Sequence, residues 1–455
     1  MSELSHYPGE LMTLRLLGRQ DRNRLKSQLR ENARKKRPAL IVPILASEYS
    51  DSENRPVFEN ILNNLRQITY LHKLVFGLDA ASEEEAFLLR DLLKEHEIKN
   101  YVIQWNSGPT FSEFYDRLND AGFGLTKPGK GKNMFLGFGI ALALGAKTVG
   151  LVDGDIRRFD RVQLDRLLYP VVVLDYDFSK AYYTRVSNRR LYGRVKRLLL
   201  DPMLLSLKKR FTETKDVKML GLVEYLYKYL YQLSGEVAFS ADLLRTMRFA
   251  TNWGVEIFTL IEVYRKASSA CQVRFTEEVF DHKHQSVSYG DMTKGLSGMA
   301  VDITTTLMHA LVREEGLEIT ETFFRDLATT YQGVAEEAIK RYSDLAMFNN
   351  LEYDRDHEEF LVKHVFINSI LHAGDILTEH ARVTEKFLRL VHSHPEFKPF
   401  LNDGLAEALL SVESKMTQNL FEPPQTVSWE RVSNKMPTIF KDLGKAVQKE
   451  QKRFA

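Results

Sequence analysis

Short apolar runs alternate, along residues 38–152, with stretches whose apolar side chains recur at helical spacing. An unbroken apolar run such as 39–45 is typical of a strand buried on both faces of a parallel sheet. The pattern predicts strands at 39–45, 71–78, 100–105 and 148–152, and helices at 57–68, 83–96 and 131–145. This alternation predicts an α/β fold in which helices flank a mostly parallel sheet.

The flanking segments are patterned less regularly. Residues 10–36 place leucines near helical spacing among many Arg and Lys, which predicts an amphipathic helix packed on the main domain. A helix that binds a partner or a membrane surface is the alternative. Beyond Asp155 we predict strands at 171–174 and 180–186, helices at 194–210 and 217–231, a polar loop at 280–288, and almost only helix from about residue 291.

Composition narrows the class of protein without identifying it. The 455 residues are 44% apolar and 27% charged, which is ordinary for a soluble globular chain. A formal net charge of +2 gives no overall field for nucleic acid or membrane, and the single cysteine, Cys271, excludes an intramolecular disulfide and a cysteine-based zinc site. The chain has no signal peptide and no apolar stretch of about 18 residues, so we expect a cytoplasmic protein without a transmembrane segment.

Asp153-Gly154-Asp155 directly follows the predicted strand at 148–152. Ligands of parallel α/β sheets bind beyond the carboxyl ends of the strands, where Asp79 also lies. Two carboxylates at such an edge can share Mg²⁺ or Mn²⁺, which prefers oxygen ligands and commonly bridges protein to phosphate. An acidic surface turn is the alternative, but the apolar strand immediately before the motif favours the metal site.

Two further motifs suit a phosphate-bearing ligand. Gly129-Lys130-Gly131-Lys132-Asn133 opens the predicted helix at 131–145, and backbone amides at a helix start attract anions. A flexible basic loop is the alternative, and the spacing is not that of a P-loop. Asp281-His282-Lys283-His284 is the densest histidine cluster, which is either a polar loop or the source of a further metal ligand.

Five motifs in this order resemble the glucosyl-3-phosphoglycerate synthases, a family of retaining glycosyltransferases with the GT-A fold. They are Gly129-Lys130-Gly131, Asp153-Gly154-Asp155, Leu233-Ser234-Gly235-Glu236, Trp253-Gly254-Val255-Glu256-Ile257 and His282. The resemblance covers roughly residues 38–290, and mannosylglycerate synthases share a similar order. It implies a GT-A-type, Rossmann-like sheet, a nucleotide-diphosphate glucose as donor, 3-phosphoglycerate as acceptor and Mg²⁺ or Mn²⁺ as cofactor.

The resemblance also implies roles for single residues. Asp155 and His282 are expected to bind the metal, and Asp155, Glu256 and Lys130 to take part in catalysis. The residues expected to bind the nucleotide sugar are Pro43, Glu48, Asp79, Lys130, Asp153 and Glu236. Gly193-Arg194-Val195-Lys196 resembles the loop that binds the acceptor's phosphate, although the family has threonine at position 196. His284 stands where the family has an asparagine that contacts the acceptor.

The predicted organisation has three parts and leaves several functions open. A basic N-terminal helix (1–37) precedes a glycosyltransferase domain (38–290), which divides into a nucleotide-sugar part (38–160) and an acceptor part (161–290). The helical region 291–455 is a dimerisation element, a lid or a regulatory domain. We expect the first of these and therefore a homodimer. Transfer of glucose or mannose to unphosphorylated glycerate is the nearest alternative, and a sugar nucleotidyltransferase or a non-catalytic sugar-nucleotide sensor is the alternative of another class.

Overall fold

Eight strands form a central sheet in the computed structural model, which describes residues 11–126, 129–281, 295–319, 321–378 and 426–455. The strands of these residues are β1 (Met12–Leu14), β2 (Pro38–Leu45), β3 (Lys73–Asp79), β4 (Tyr101–Trp105), β5 (Thr148–Leu151), β6 (Phe178–Tyr182), β7 (Val186–Ser187), β8 (Arg190–Leu191), β9 (Val237–Ser240), β10 (Arg248–Ala250), β11 (Ala270–Arg274) and β12 (Thr426–Ser428). The sheet order is β1-β11-β6-β9-β5-β2-β3-β4, and its neighbours pair in parallel except where β9 meets β5 and β6. The predicted mostly parallel α/β sheet is therefore confirmed.

Helices cover both faces of the sheet. Among the described residues they include α1 (Arg22–Lys36), α2 (Ser47–Ser50), α3 (Arg55–Leu65), α4 (Glu83–Glu95), α5 (Pro109–Asp120), α6 (Lys130–Ala143), α7 (Arg161–Val172), α8 (Asp201–Thr214), α9 (Val217–Lys228), α10 (Ala241–Thr246), α11 (Val255–Lys266), α12 (Gly295–Ala310), α13 (Glu321–Phe348), α14 (Arg355–Leu361), α15 (Trp429–Lys435) and α16 (Ile439–Arg453). Short π-helical turns occupy Val195–Leu200, Leu311–Glu315 and Val362–Phe366. One apolar core packs α1, α3, α4 and α7 on one face, and a second packs α5, α6 and the C-terminal helices on the other.

Two predicted elements at the edges of the alternating segment are wrong. The helix expected at 10–36 begins only at Arg22, because the side chain of Asp21 caps it by accepting the amides of Asn23 and Arg24. Residues before it instead form β1, an edge strand that pairs with β11. The strand expected at 171–174 is the end of α7, a helix whose start a capping box fixes at Asp160.

The C-terminal part of the chain shares the core of the sheet domain. Trp429 is fully buried and stacks on Phe135 of α6, with ring centroids 4.4 Å apart and planes at 4°. Its indole N–H donates to the carbonyl of Phe135 at 2.9 Å, and the ring lies where a side chain at Gly139 would be. Strand β12 pairs antiparallel with β10. Residues after 426 thus close over helix α6, and the proposed boundary at 290 stays a prediction.

One helix of the described residues, Arg355–Thr378, is long and apolar enough to cross a membrane by length and composition, with a mean hydropathy of 1.2. Of the 18-residue window of this helix that has that hydropathy, 56% is buried inside the protein, as is common for a core helix of a soluble protein. The predicted lack of a transmembrane segment stays a prediction.

Candidate active site

The polar residues that the sequence singled out gather at one edge of the sheet. Strands β2, β3 and β5 are parallel and end there, with β2 in the middle. Asp79 at the end of β3 and Asp153 just after β5 therefore lie on either side of the end of β2. Strand β9 is antiparallel to β5, with Val237 opposite Leu151, so the start of β9 lies at the same edge. This reversal brings Glu236 to the carboxylates even though more than eighty residues separate it from Asp153.

Lys130, the first residue of α6, is held between two carboxylates. Its Nζ lies 2.8 and 2.9 Å from the two oxygens of Asp153 and 3.1 Å from Oε1 of Glu256, which is in the first turn of α11. A side chain at Gly235 would collide with Asp153 and Lys130, so only glycine allows that loop to approach the pair. The structure thus brings together Lys130, Asp153 and Glu256, three residues from different motifs.

The charges in this cluster reinforce one another. Burial alone disfavours the ammonium of Lys130, but the neighbouring Asp153 and Glu256 outweigh it and raise its pKa. Lys130 is therefore cationic at neutral pH. A permanent cation at the start of a helix suits an anionic group such as a diphosphate.

A second lysine lies under the same edge, and the sequence analysis did not identify it. Lys180 of β6 is 1% exposed and donates to the carbonyl of Ser234 at 2.7 Å. Tyr183 donates its phenol to Oε2 of Glu236 at 2.7 Å. These two contacts fix the loop that carries Ser234, Gly235 and Glu236. The signal in the sequence was a lysine between Ser179 and Ala181 in a short strand flanked by Phe178 and Tyr182.

Stability is expected to depend on pH through Lys180. Burial lowers its pKa from 10.5 to about 8, although the nearby carboxylates of Glu256 and Glu236 favour its charge. Between pH 8 and 10.5 the unfolded chain binds more protons at this site than the folded protein, so stability rises with pH there, by up to roughly 3 kcal/mol. Urea unfolding of the wild type and of Lys180→Met at pH 7, 8, 9 and 10 measures this.

We expect the wild type to gain stability relative to Lys180→Met as the pH rises above 8. Lys209→Met, at an exposed position of α8, is the matched control. If the free energies of unfolding of the wild type and Lys180→Met differ by a constant amount across this range, the pKa of Lys180 is not lowered by burial.

The residues predicted to hold the nucleotide lie at the ends of β2 and β3. Pro43 is within β2, its carbonyl lies close to Gly154, and buried Glu48 follows in α2. Burial raises the pKa of Asp79, although the backbone amide of Ala80 and the positive charge of Lys132 favour its charged form. Asp79 is therefore a carboxylate in a partly dry position, which suits recognition of a ligand N–H.

Asp155 lies near Arg185. Burial disfavours the guanidinium of Arg185, but Tyr231 most of all, and then Tyr183 and Asp155, raise its pKa. The amide of Arg157, two residues after Asp155, donates to the carbonyl of Asp281 at 3.0 Å. This bond holds Asp281, the residue before His282, close to the Asp155 segment. His282 and His284 themselves lie outside the described residues. Within the described ranges, no group of three or more His, Cys, Asp or Glu side chains could hold a metal.

The predicted acceptor loop lies beside this edge. Gly193 has a positive φ of 77°, and a side chain there would meet the hydroxyl of Tyr231 at 3.1 Å. Arg194 lies 3.2 Å, between Nη1 and Nε2, from His357 of α14. Val195 and Lys196 begin the π-helical turn, and Lys196 forms an ion pair with Asp201. Lys196, which stands where the family has threonine, thus already has a carboxylate partner.

Comparison with known proteins identifies similar chains along most of the sequence. The chain is 36% identical over 370 residues to a glucosyl-3-phosphoglycerate synthase of Persephonella marina, covering 80% of this chain and 87% of that protein. It is 31% identical over 351 residues to a glucosyl-3-phosphoglycerate synthase of Methanococcoides burtonii, covering 76% and 83%. No protein-family model matches the chain.

Solved structures of lower similarity include two of glucosyl-3-phosphoglycerate synthase from Mycobacterium tuberculosis. The complex with Mn²⁺, UDP and glucosyl-3-phosphoglycerate has a TM-score of 0.46 at 18% identity and covers 65% of this chain and 87% of that one. The complex with Mg²⁺ and UDP has a TM-score of 0.45 at 17% identity and covers 68% and 88%.

Proposed function

The chain belongs to the glucosyl-3-phosphoglycerate synthases, and from that premise we propose that it transfers glucose from a nucleoside-diphosphate glucose to the C2 hydroxyl of 3-phosphoglycerate. The observation that carries the assignment to this edge of the sheet is the position of Lys130 between Asp153 and Glu256. That cluster joins the starts of two helices to a strand end, where a diphosphate and a sugar can both be bound.

The donor is bound, in this proposal, by residues that the fold brings together. Asp79, with Pro43 and Glu48 nearby, contacts the nucleoside, and Asp153 lies towards the ribose. Lys130 faces the diphosphate, and Glu236 accepts hydroxyls of the sugar while Tyr183 fixes its carboxylate. Because Tyr183 and Lys180 hold the loop from opposite ends, the sugar-binding carboxylate is positioned before the donor arrives.

A divalent cation completes the donor site in this proposal. Asp155 is an oxygen ligand of the kind that Mg²⁺ and Mn²⁺ prefer, and Asp153 is already engaged by Lys130. The sequence predicts His282 as the second ligand. When bound, the cation would neutralise charge on the departing diphosphate.

The reaction forms a bond between C1 of glucose and O2 of 3-phosphoglycerate and breaks the bond between C1 and the diphosphate oxygen. We propose that both events occur on the same face of the sugar, which retains the configuration at C1. The proton of the acceptor hydroxyl passes to the leaving diphosphate. Lys130 stabilises the negative charge that grows on this group, since its cation is already in place and needs no reorganisation.

Release of a nucleoside diphosphate tests this function directly. The protein is incubated with UDP-, ADP- or GDP-glucose or GDP-mannose, Mg²⁺, and either 3-phosphoglycerate or glycerate. We expect nucleoside diphosphate only when 3-phosphoglycerate is present, and a loss of at least about 100-fold after EDTA treatment that Mg²⁺ or Mn²⁺ restores. Equal rates with glycerate would contradict the phosphorylated acceptor, and release of pyrophosphate from a nucleoside triphosphate would identify a nucleotidyltransferase instead.

The cytoplasmic location and the homodimer stay predictions from the sequence. Size-exclusion chromatography with light scattering measures the second.

A further inference from the structure

Residues 426–455, which we call the C-terminal segment, consist of strand β12 and helices α15 and α16. Helix α16 packs against α6, α5 and β4. All three of these elements lie within residues 38–160, the part of the chain predicted to bind the nucleotide sugar. The two ends of the C-terminal segment also contact the supports of two loops to which the proposed function assigns the donor.

The first of these contacts lies at the diphosphate side of the donor site. Strand β12 pairs antiparallel with β10, which ends at Ala250. A side chain at Gly131 would lie 2.3 Å from the carbonyl oxygen of Ala250, and one at Gly129 would lie 3.2 Å from that of Thr251. The backbone on both sides of Lys130 is therefore packed directly against the end of the strand that β12 pairs with.

The middle of the C-terminal segment holds helix α6 from its outer side. Trp429 stacks on Phe135, which lies five residues after Lys130. Asp442 of α16 forms an ion pair with Arg117 of α5 at 2.9 Å. The apolar side of α16 is buried. Helix α6 thus cannot shift along the sheet without disturbing these contacts.

The second contact lies at the nucleoside side of the donor site. The guanidinium of Arg453 lies 5.8 Å from the ring centre of Trp105, at the end of β4. The indole of Trp105 donates at 3.0 Å to the carbonyl of Ala81, two residues after Asp79. Phe454 is 4% exposed and packs against α4, the helix that follows this loop. One buried tryptophan therefore separates the C-terminal segment from the loop that begins at Asp79.

A nucleoside diphosphate has to reach both places at once. In the proposed function Lys130 faces the diphosphate and Asp79 contacts the nucleoside. These residues belong to different elements, α6 and β3. Binding is strongest when such groups already stand at the separation that the ligand needs, because less ordering is then required on binding. An element packed on the supports of both groups can maintain that separation.

We propose that the C-terminal segment is a positioning element of the donor site, which holds the Lys130 loop and the Asp79 loop at the separation that fits a nucleoside diphosphate. The segment acts through β10 and Trp105 and does not touch the substrates itself. This inference rests on the proposed function, since it concerns the donor side of that reaction. Changes in the segment should weaken donor binding and leave acceptor binding unaffected.

Binding of UDP, ADP and GDP in the presence of Mg²⁺, measured by calorimetry on full-length variants, tests this role. Phe454→Ala and Val427→Ala alter the two ends of the segment, where both side chains are almost fully buried. We expect each variant to raise the Kd of the nucleotide that the wild type binds best by about 3- to 30-fold, a range typical of coupling between separated groups. Phe454→Leu keeps an apolar side chain and is expected to recover most of the affinity.

Leu29→Ala is the matched control, because it removes a fully buried side chain from α1, on the other face of the sheet. It should lower the midpoint of chemical unfolding about as much as Phe454→Ala does and leave the nucleotide Kd unchanged. In steady-state kinetics, Phe454→Ala and Val427→Ala should raise the KM for the donor by the same factor as the Kd. The kcat and the KM for 3-phosphoglycerate should change by less than about threefold.

The outcomes separate positioning from stability and this inference from the proposed function. If Phe454→Ala and Val427→Ala lower the unfolding midpoint but leave the nucleotide Kd unchanged, the segment only stabilises the fold and the inference is wrong. An equal loss of affinity in Leu29→Ala, or a wild type that binds none of the three nucleotides, would also contradict it. If Phe454→Ala does not fold, Val427→Ala and Phe454→Leu give the same measurement. If nucleotide binding depends on the segment but no acceptor yields turnover, the proposed function fails and the role of the segment stands.

Discussion

Asp155→Asn is expected to lower kcat by at least about 10³-fold while the fold is retained, since stabilisation of departing charge by a metal is worth several kcal/mol. Asparagine has nearly the shape of aspartate but no charge, so it removes the oxygen anion that a hard divalent cation prefers and little else. Asp153 cannot substitute for it, because both of its oxygens are bound to Lys130. The rate of nucleoside diphosphate release at saturating substrates measures this effect.

Two comparisons make the result specific to the metal. Asp120→Asn removes an exposed carboxylate at the end of α5 and should leave kcat unchanged. In the wild type, Mg²⁺ should tighten binding of a nucleoside diphosphate, and Asp155→Asn should lose this tightening while keeping the weaker, metal-independent binding. Near-normal turnover of Asp155→Asn in saturating Mg²⁺ would sink the assignment of Asp155 as a ligand.

Trp429→Ala is expected to destabilise the protein by about 3–5 kcal/mol, the usual cost of removing a large aromatic side chain from a core. The indole is fully buried, stacks on Phe135 and makes a hydrogen bond to its backbone carbonyl. The space it fills borders Gly139, which has no side chain to collapse into the cavity. The midpoint of chemical unfolding measures the loss.

Trp429→Phe should cost less than the alanine variant, because it keeps the stacked ring and loses the indole N–H. Phe348→Ala, at an 87% exposed position at the end of α13, is the control and should leave the midpoint almost unchanged. Equal midpoints for Trp429→Ala and Phe348→Ala would mean that the C-terminal residues do not stabilise helix α6.

The pattern of apolar residues along the sequence was enough to predict the strands and helices whose own residues specify them. Strands β2 to β5 and helices α3, α4 and α6 each bury a continuous run or a helical stripe, so their own residues specify them. Strand β1 has three residues and exists only because β11, more than 250 residues later, pairs with it. The run Val171-Val172-Val173 has β propensity, but the packing of α7 under the sheet outweighs it.

The residues of the candidate site likewise divide into those that the sequence could predict and those that it could not. Lys130 and Asp153 were predictable because each stands at the boundary of a locally determined element, a helix start and a strand end. Lys180 and Tyr183 were not, since only the reversed direction of β9 brings the Glu236 loop over β6. The role of Lys196 at the acceptor's phosphate, which the family resemblance implies, stays a prediction. Its ion pair with Asp201 was not predictable, because it depends on the π-helical turn at Val195–Leu200.

The return of Trp429 to helix α6 also sets an order of events during synthesis. The indole and the carbonyl of Phe135 are 294 positions apart in the sequence. At about 5–20 residues per second, the ribosome takes roughly 15–60 s to supply the partner after Phe135 has been made. Through that interval the apolar face of α6 at Phe135 and Gly139 is without its cover, so the nascent chain presents a hydrophobic surface that chaperones can hold and that Trp429 later buries.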